Sequence, residues 1–439
     1  VTGSQAWNGG GICILSSTLT ATNSTVSNCK NDQGGLFGYQ SSITLTGCTI
    51  SLISASNSGG NGIYVEESSS LSIVNSQIVN CTATYTFGAG LRVESSSLSI
   101  SESTIANNTT NYSGGGLYTY CATFTITDCI FEDNSATNGG AGELRGFGNS
   151  QISNCTFSNN VSRYGSGLYF LVNNNRTVTL DITNCLFVNN TSKDRSFNDK
   201  GYTGSAAWIR ANGSGSNLTT TITNSTFANN TDIGTFSTSE RGTLGLSKRT
   251  DGSSTHNVTI NNSIFYGNED ASGDTTASIN KGHVLLPDLT LVNNSIGEDG
   301  FSNLTYLTNT SNADPMFVDV ANKNYRIQSG SPAKDTGDNS KVPTGITNDL
   351  FFNPRITDTT VDMGAYEYDF TLGVSPFQLN ENEIKIYPNP TSNMVHIKMS
   401  QDLFKAEIFN IQGQKVLENR NKSIDVSKLA IGMYLLKIE

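Results

Sequence analysis

Charged residues are scarce in this 439-residue chain, in which 26 Lys and Arg and 37 Asp and Glu make up only 14% of the sequence. The net charge of −11 disfavours nucleic acid as a partner, because binding to phosphates needs a basic face. No run of 18 apolar residues occurs, so we expect no membrane-spanning helix. The chain starts at Val1 without Met or a signal peptide, and we expect a mature or trimmed product.

Motifs that carry common chemistries are also missing. No CxxC pair is present, which argues against a structural zinc site. The three histidines, His256, His283 and His396, are scattered, and neither HExxH nor a nucleophile elbow occurs. We therefore assign no catalytic residue, no metal and no cofactor from the sequence.

A short repeat fills most of the chain: apolar, x, apolar, x, polar, small, x, apolar. Most copies lie 24 to 30 residues apart, and two gaps stretch to about 40. The ten copies centre on Ser24, Cys48, Ser76, Ser103, Cys129, Cys155, Cys185, Ser225, Ser263 and a degenerate Asn294. Each piece is a period-2 strand too short to stand alone, whereas three strands per coil bury a continuous apolar column when coils stack. The pattern predicts an all-β parallel β-helix.

Two further landmarks recur in most copies. A glycine-rich turn leads into a short strand, as in Gly114–Tyr118, and a Phe is followed three residues later by Asn. The Phe/Asn pairs are Phe131/Asn134, Phe157/Asn160, Phe187/Asn190, Phe227/Asn230 and Phe265/Asn268. We expect these Asn residues at turns, where Asn tolerates left-handed backbone and its amide can bond to the adjacent coil.

Over roughly residues 9–300 the combined motifs resemble the repeats of chlamydial-type polymorphic outer-membrane proteins and other pectate-lyase-like β-helix proteins. The resemblance implies a right-handed parallel β-helix, which we assign to residues 1–311. It implies nothing about activity.

The chain has eight cysteines, a number that in a secreted protein would suggest a disulfide framework. However, Cys48, Cys129, Cys155 and Cys185 share one ladder with serines, and stacked parallel side chains point the same way rather than at each other. We therefore favour small buried thiols, with at least one bridge as the alternative.

Residues 312–370 resemble the module that closes many bacterial surface β-helices. The resemblance rests on Asn312–Asp319, Tyr325–Asp335 and Val361–Tyr368. We expect this module to cap the open apolar column, because Pro315, Pro332 and Pro354 end regular pairing. A ligand-binding role is the alternative.

After a linker at 371–383, residues 384–439 contain alternating strands that predict a small antiparallel β-sandwich. Its motif residues are Tyr387, Pro388, Asn389, Pro390, Gly413 and Gly432. The block resembles type A sorting domains of the type IX secretion system. That resemblance implies a secreted, surface-attached protein of a Bacteroidota-type bacterium, whose partners are the outer-membrane translocon and its shuttle proteins. Since family members usually continue past the last strand, we expect the natural protein to extend beyond Glu439.

A candidate binding face lies on the strands that follow the glycine turns. Their outward positions read Tyr64/Glu66, Arg92/Glu94, Tyr118/Tyr120, Tyr169/Leu171 and Trp208/Arg210, and Glu143 and Arg145 belong to the same face in uncertain register. Aromatic rings stack on sugar faces, and charged groups bond to hydroxyls or uronates. These residue types predict a glycan site centred on Trp208 and Arg210. The alternative is that the rungs only stabilise the sheet.

Insertions in the coils near 160–250 point to the same region. They fall at 171–179, 192–205, 211–219 and 231–256, and insertions in a solenoid commonly form loops on the binding face. Their charged residues are Arg176, Asp194, Arg195, Asp199, Glu240, Arg241 and Asp251. We expect these loops to form a wall beside Trp208.

Two functions remain open at the level of sequence. The first is a monomeric, non-catalytic adhesin or glycan-binding protein. The second is a polysaccharide lyase or glycosidase, which would need an acidic cation site with a base, or paired carboxylates about 5–10 Å apart. No compact set of this kind stands out, which favours the adhesin. Three or more carboxylates converging beside an Arg or Lys would favour the enzyme.

Overall fold

The computed structural model divides into two compact units, 1–369 and 370–439. It describes residues 1–6, 10–31, 34–55, 61–121, 123–173, 175–193, 204–233, 242–249, 251, 253–270, 272–280, 287–368, 384–387, 393–399, 405–410, 414–430, 432 and 434–438. The linker 371–383 lies outside the described residues.

The coils of the first unit form three long parallel sheets with ten, eleven and ten described strands. Sheet 1 follows the glycine turns and contains Ile12–Leu15, Leu36–Tyr39, Ile63–Glu66, Leu91–Glu94, Leu117–Cys121, Gly142–Gly146, Leu168–Val172, Ala207–Ala211, Gly242–Lys248 and Ala277–Asn280. Its ten described strands correspond to the ten predicted copies of the repeat.

Sheet 2 carries the first half of the repeat. It contains Thr18–Thr22, Ser42–Thr46, Ser70–Val74, Ser97–Ser101, Phe124–Thr127, Ser150–Ser153, Thr177–Thr183, Asn217–Thr223, Thr255–Asn261, Leu289–Asn293 and Tyr306–Thr308. Three of its strands have seven residues. The insertions at 171–179 and 211–219 therefore partly lengthen strands, where the sequence predicted loops.

Sheet 3 carries the second half of the repeat. It contains Thr25–Ser27, Thr49–Ser51, Gln77–Val79, Thr104–Ala106, Ile130–Glu132, Thr156–Ser158, Leu186–Val188, Thr226–Ala228, Ile264–Tyr266 and Ile296–Gly297. Two-residue strands complete the coils: Gln5–Ala6, Lys30–Asn31, Ser54–Ala55, Thr82–Ala83 and Thr109–Thr110 in one short sheet, and Val161–Ser162, Thr191–Ser192, Thr231–Asp232 and Glu269–Asp270 in another.

The apolar column is continuous along the axis. Five phenylalanine rings stack coil on coil with centroids 4.5 to 5.0 Å apart, from Phe131 through Phe157, Phe187 and Phe227 to Phe265. The predicted small-residue ladder is also present, with Cys129, Cys155 and Cys185 in one register. All eight cysteines are free thiols, and only Cys13 is exposed.

Two details of the turns differ from the sequence prediction. The last small residue of the ladder is Ser295, whose hydroxyl accepts from the Ser263 N–H at 3.1 Å, and not Asn294. Asn294 instead takes the left-handed position one residue earlier, at φ 45°. Likewise the Asn of each Phe-x-x-Asn pair is not left-handed; the residue before it is, as at Asn159 with φ 56°.

The closing module, residues 312–368, packs along the flank of the solenoid. It contains an antiparallel pair, Phe317–Asp319 and Asn324–Ile327, and the 3₁₀ turns Val320–Asn322 and Asn339–Lys341. Tyr325 packs against Leu186, Val188 and Ala228 of sheet 3. The end of the apolar column is covered by Phe301, which is fully buried and lies edge-on to Phe265 at 5.9 Å. The module is thus a lateral cover, where the sequence predicted an end cap.

The second unit has two three-stranded antiparallel sheets. One contains Ile384–Tyr387, Met394–Met399 and Ser423–Asp425, and the other contains Lys415–Asn419, Ala406–Asn410 and Tyr434–Ile438. Both sheets contribute to one apolar cluster around Val395, Ile408 and Ile424. The predicted antiparallel fold of this segment is confirmed.

Candidate functional site

The outer face of sheet 1 carries two rows of side chains along the solenoid axis. The first row is Phe37, Tyr64, Arg92, Tyr118, Glu143, Tyr169 and Trp208, and the second row is Tyr39, Glu66, Glu94, Tyr120, Arg145, Leu171 and Arg210. The register of Glu143 is now fixed, since it lies between Tyr118 and Tyr169 on consecutive coils. The sequence-predicted site residues therefore do share one face.

The C-terminal part of this face is a local core. Trp208 is only 4% exposed, and its ring stacks on Tyr169 at 4.6 Å with an interplanar angle of 4°. Its indole N–H donates to the Ser247 hydroxyl at 3.1 Å, and the Arg210 guanidinium lies 5.5 Å from the ring centroid. Burial raises the pKa of the Tyr169 hydroxyl above its usual range. Trp208 cannot offer a ring face to a sugar here, so the predicted centre of the site is wrong.

Exposed aromatic side chains lie instead on the coil that contains the strand Leu117–Cys121. Tyr112 is 44% exposed and precedes the glycine turn, while Tyr120 is 36% exposed and follows it. Both belong to a set of rings that lies across sheet 1, which we call the aromatic band: Tyr112, Phe87, Tyr118, Tyr120 and Phe147.

Close ring contacts hold the two ends of the aromatic band. Phe87 stacks on Tyr118 at 4.7 Å and meets the edge of Tyr112 at 5.7 Å. At the other end, Tyr120 meets Phe147 edge to face at 4.4 Å. Rings fixed in this way lose little conformational entropy when a ligand binds, which favours recognition.

Ion pairs flank the aromatic band on both adjacent coils. On one side, Arg92 donates from Nε and Nη2 to the Glu94 carboxylate at 3.1 and 3.0 Å, and it lies over the Tyr64 ring at 4.5 Å. On the other side, Arg145 pairs with Glu143 at 2.6 Å. Both guanidiniums are thus tied to carboxylates within the face.

Glu143 is the most deeply buried charged group of the face, at 1% exposure. Its Oε1 accepts from Arg145, and its Oε2 has no hydrogen-bond partner among the described residues. A glycosidase would need a second carboxylate beside it, but the neighbours of Glu143 in its row are Tyr118 and Tyr169.

The predicted wall of loop charges is described only in part. Asp194, Arg195, Asp199, Glu240 and Arg241 lie outside the described residues. Arg176 is exposed and its guanidinium lies 4.9 Å from the centroid of Phe147, at the end of the aromatic band. Asp251 pairs with Arg249, and hydrogen bonds from Ser253 and Arg249 lower the pKa of its carboxyl to about 2.

Three carboxylates do converge beside an arginine, but in the closing module and out of reach of solvent. Arg355 contacts Glu367, and the carboxylates of Asp349 and Asp362 lie close enough to act on its charge. The four side chains are at most 2% exposed. Desolvation raises the pKa of Glu367 to about 8.

The hydrogen bonds of these carboxylates are structural. Asp349 accepts from the backbone N–H groups of Phe351 and Glu367, and Asp362 accepts from those of Asp335 and Tyr368. Arg355 also donates to the Asn184 side chain of the solenoid at 3.2 Å. The cluster therefore docks the module, and its convergence does not favour an enzyme.

Sequence reasoning found Tyr118 and Tyr120 but missed Phe87, Tyr112 and Phe147. These three side chains lie next to strands and not on them, so a period-2 pattern gives them no direction. For Phe87 and Tyr112 the available signal was their position beside the glycine turns, in Phe87-Gly88 and Tyr112-Ser-Gly114, whereas Phe147 directly follows the strand Gly142–Gly146. Within the described ranges, no group of three or more His, Cys, Asp or Glu side chains is arranged to hold a metal ion.

The motif residues of the second unit are described in part. Tyr387 lies in the strand Ile384–Tyr387 and pairs with His396, while Gly432 precedes the strand Tyr434–Ile438. Pro388, Asn389, Pro390 and Gly413 lie outside the described residues. No helix in the described part of the chain has the length and apolar character needed to cross a bilayer.

Comparison with known families finds one match in each of the two units of the chain. Residues 385–439 match the family described as the secretion system C-terminal sorting domain. Residues 2–112 match the family described as the right handed beta helix region. No curated protein matches the chain. The predicted right-handed β-helix and the sorting domain are thereby confirmed.

Proposed function

Since this is a right-handed β-helix protein with a type IX sorting domain, and hence a secreted surface protein that the type IX machinery recognises, we propose that it is a non-catalytic adhesin that binds extracellular glycan. The β-helix acts as a monomer and presents the aromatic band to the ligand. The sorting domain supplies export and surface attachment through the translocon and its shuttle proteins.

The observation that carries this proposal is the pair of exposed tyrosines on one coil, Tyr112 and Tyr120, each fixed by a second ring. An exposed ring gains free energy by stacking on the apolar face of a sugar. Between them, Tyr118 is only 5% exposed and serves as the ring against which Phe87 is packed. Of the sequence-predicted residues, Tyr120, Arg92 and Tyr118 thus stay in the proposed site, whereas Tyr169, Trp208 and Arg210 lie outside it, two and three coils further along the same face.

The engagement of the described carboxylates around the band supports a binding role over a lyase or glycosidase: Glu66, which lies next to Glu94 in the second row, accepts from the Tyr64 hydroxyl. Glu143 and Glu94, the carboxylates nearest to Tyr118 and Tyr120 in the rows, are each bound to an arginine.

The test is to incubate the full chain with a panel of extracellular polysaccharides and to measure both retention and product formation. We expect retention of the protein on at least one polysaccharide with no new reducing ends and no unsaturated sugars. Release of oligosaccharides in proportion to enzyme and time would contradict the non-catalytic role. Failure to bind any member of the panel would contradict glycan binding itself.

A further inference from the structure

We infer that the aromatic band takes a neutral glycan, a chain of uncharged hexoses or N-acetylhexosamines, and not a uronate-containing or sulfated one. This inference rests on the proposed function and specifies the ligand class of the same site. It follows from how the charges on the outer face of sheet 1 are arranged.

The two arginines of the rows that flank the band are already engaged with carboxylates, whereas Arg176 at the end of the band contacts the Phe147 ring. Arg92 uses Nε and Nη2 on Glu94 and donates from Nη1 to the Thr86 hydroxyl at 3.0 Å. Arg145 directs Nε and Nη2 to Glu143. A carboxylate or sulfate on the ligand would have to break these pairs, and would leave a buried Glu143 without its counter-charge.

The charges of the two rows cancel. The two rows contain three carboxylates and three guanidiniums, so their net charge is zero. These groups belong to Glu66, Glu94 and Glu143 and to Arg92, Arg145 and Arg210. The whole chain carries −11, so no long-range attraction draws an anionic polymer to the surface. Proteins that bind anionic polymers instead present an uncompensated basic face.

The accessible polar groups at the aromatic band are suited to hydrogen bonds with the hydroxyls of a neutral sugar. The Glu94 side chain is 26% exposed beside the aromatic band, and a carboxylate accepts hydrogen bonds but cannot donate them when ionised. Sugar hydroxyls donate to such an oxygen, while a uronate is repelled by it. The hydroxyls of Tyr112 and Tyr120 can both donate and accept, as neutral sugars also do.

The experiment measures binding of the full chain to immobilised neutral polysaccharides (a β-glucan, a mannan and a polymer of N-acetylhexosamine) and acidic ones (polygalacturonate, alginate and a chondroitin sulfate). Each is tested from about 50 mM to about 500 mM NaCl, because screening weakens contacts between ions but not stacking. The variants are Tyr112→Ala, Tyr120→Ala and Arg176→Gln. The matched control is Tyr306→Ala, since Tyr306 is 58% exposed on sheet 2.

We expect binding to at least one neutral polymer with an affinity that changes less than twofold over this range of salt. Tyr112→Ala and Tyr120→Ala should each weaken it by more than tenfold, while Arg176→Gln and Tyr306→Ala leave it within twofold. The inference would be overturned, with glycan binding intact, by preference for an acidic polymer with strong salt dependence or by a loss above tenfold on Arg176→Gln. Neutral binding that survives both tyrosine changes would also overturn it, by placing the site elsewhere. If no polymer of either class binds, the proposed function itself is wrong.

Discussion

The corner after each sheet 3 strand from Thr25–Ser27 to Ile264–Tyr266 is built from two successive residues with different roles. The first takes the left-handed backbone, as Asn159 does, and the second buries its side chain, as Asn160 does. Asn160 Nδ2 donates to the Phe131 carbonyl at 2.9 Å and to Asn190 Oδ1 at 3.0 Å, while its Oδ1 accepts from the backbone N–H of Asn134. The sequence shows the recurring Asn at the second position of the corner. It does not show which of the two residues takes the left-handed backbone, because Asn suits both roles.

Replacing Asn160 by Ala should lower the free energy of unfolding by about 3 kcal/mol, because it leaves buried donors and acceptors on two adjacent coils without partners. Asn80→Gly is the control, since Asn80 is an exposed left-handed residue at φ 58° that Gly can replace with little cost. Urea denaturation of both variants measures the difference. Equal stability of Asn160→Ala and the parent would show that the ladder does not stabilise the fold.

A buried histidine makes stability depend on pH. His256 is fully buried, its Nδ1 donates to the Ser247 carbonyl at 3.1 Å, and its Nε2 lies 3.1 Å from the Thr220 hydroxyl. Burial lowers the pKa of His256 from 6.5 to about 4. Because the pKa is depressed, the contribution of neutral His256 to the free energy of unfolding is fully present above pH 6.5. It is lost as the pH falls towards 4, in total about 3 kcal/mol.

The prediction is checked by thermal unfolding between pH 7 and pH 4 for the parent and for His256→Leu. Leu is the residue at the paired position on the preceding coil, Leu218, so it fits the local packing. We expect the variant to lose less stability over this range than the parent does. Parallel curves for the two proteins would show that His256 does not titrate in this window.

At the scale of elements, the closing module is held to the flank of the solenoid by one column of corner asparagines. Asn184, Asn224, Asn262 and Asn294 each donate from Nδ2 to a backbone carbonyl of the module. The buried Arg355 joins this column at Asn184. The module thus uses side chains that the repeat places at the same corner of successive coils.

Arg355→Met should destabilise the docked module by about 3–5 kcal/mol, because it leaves the buried acceptors on Asn184, Asp362 and Gly364 without the hydrogen bonds that the guanidinium donates. Lys323→Met is the matched control: the Lys323–Glu132 pair also joins module and solenoid, but its side chains are 53% and 36% exposed, so its loss should barely change the melting temperature. Limited proteolysis within 312–368 reports the undocking. Equal protease resistance of the two variants would contradict a docking role for Arg355.

How far the sequence predicts these elements depends on the range of the contacts. Strand order, register and the cysteine column follow from the repeat, because residues one period apart become neighbours in space. The side docking of the closing module does not follow, since it depends on pairings such as Asn262 with Asp338 that are 76 residues apart and outside any period. For the same reason the sequence placed Trp208 on the correct face but could not show that Tyr164 and Tyr169 pack against it.

At the scale of the whole molecule, export and binding are assigned to different units. In a type IX host, a gene that ends after Asp369 should yield a folded β-helix that stays in the periplasm, because the segment matched to the sorting domain is lost. The intact gene is the control, and immunodetection in surface and periplasmic fractions is the measurement. Efficient surface delivery of the shortened protein would contradict the sorting assignment.

The central claim is that the binding surface is the aromatic band and not the buried stack around Trp208. The most direct test compares two double variants. The first combines Tyr112→Ala and Tyr120→Ala, and the second combines Trp208→Ala and Arg210→Ala. Both are measured by thermal unfolding and by titration calorimetry with a polysaccharide that binds the parent. The account predicts that the first loses affinity by more than tenfold, or about 1.4 kcal/mol, at an unchanged melting temperature. It predicts that the second melts at a clearly lower temperature, because Trp208 and Tyr169 form a local core. Parent-like affinity in the tyrosine double variant, or lost affinity at full stability in the Trp208 double variant, would contradict it.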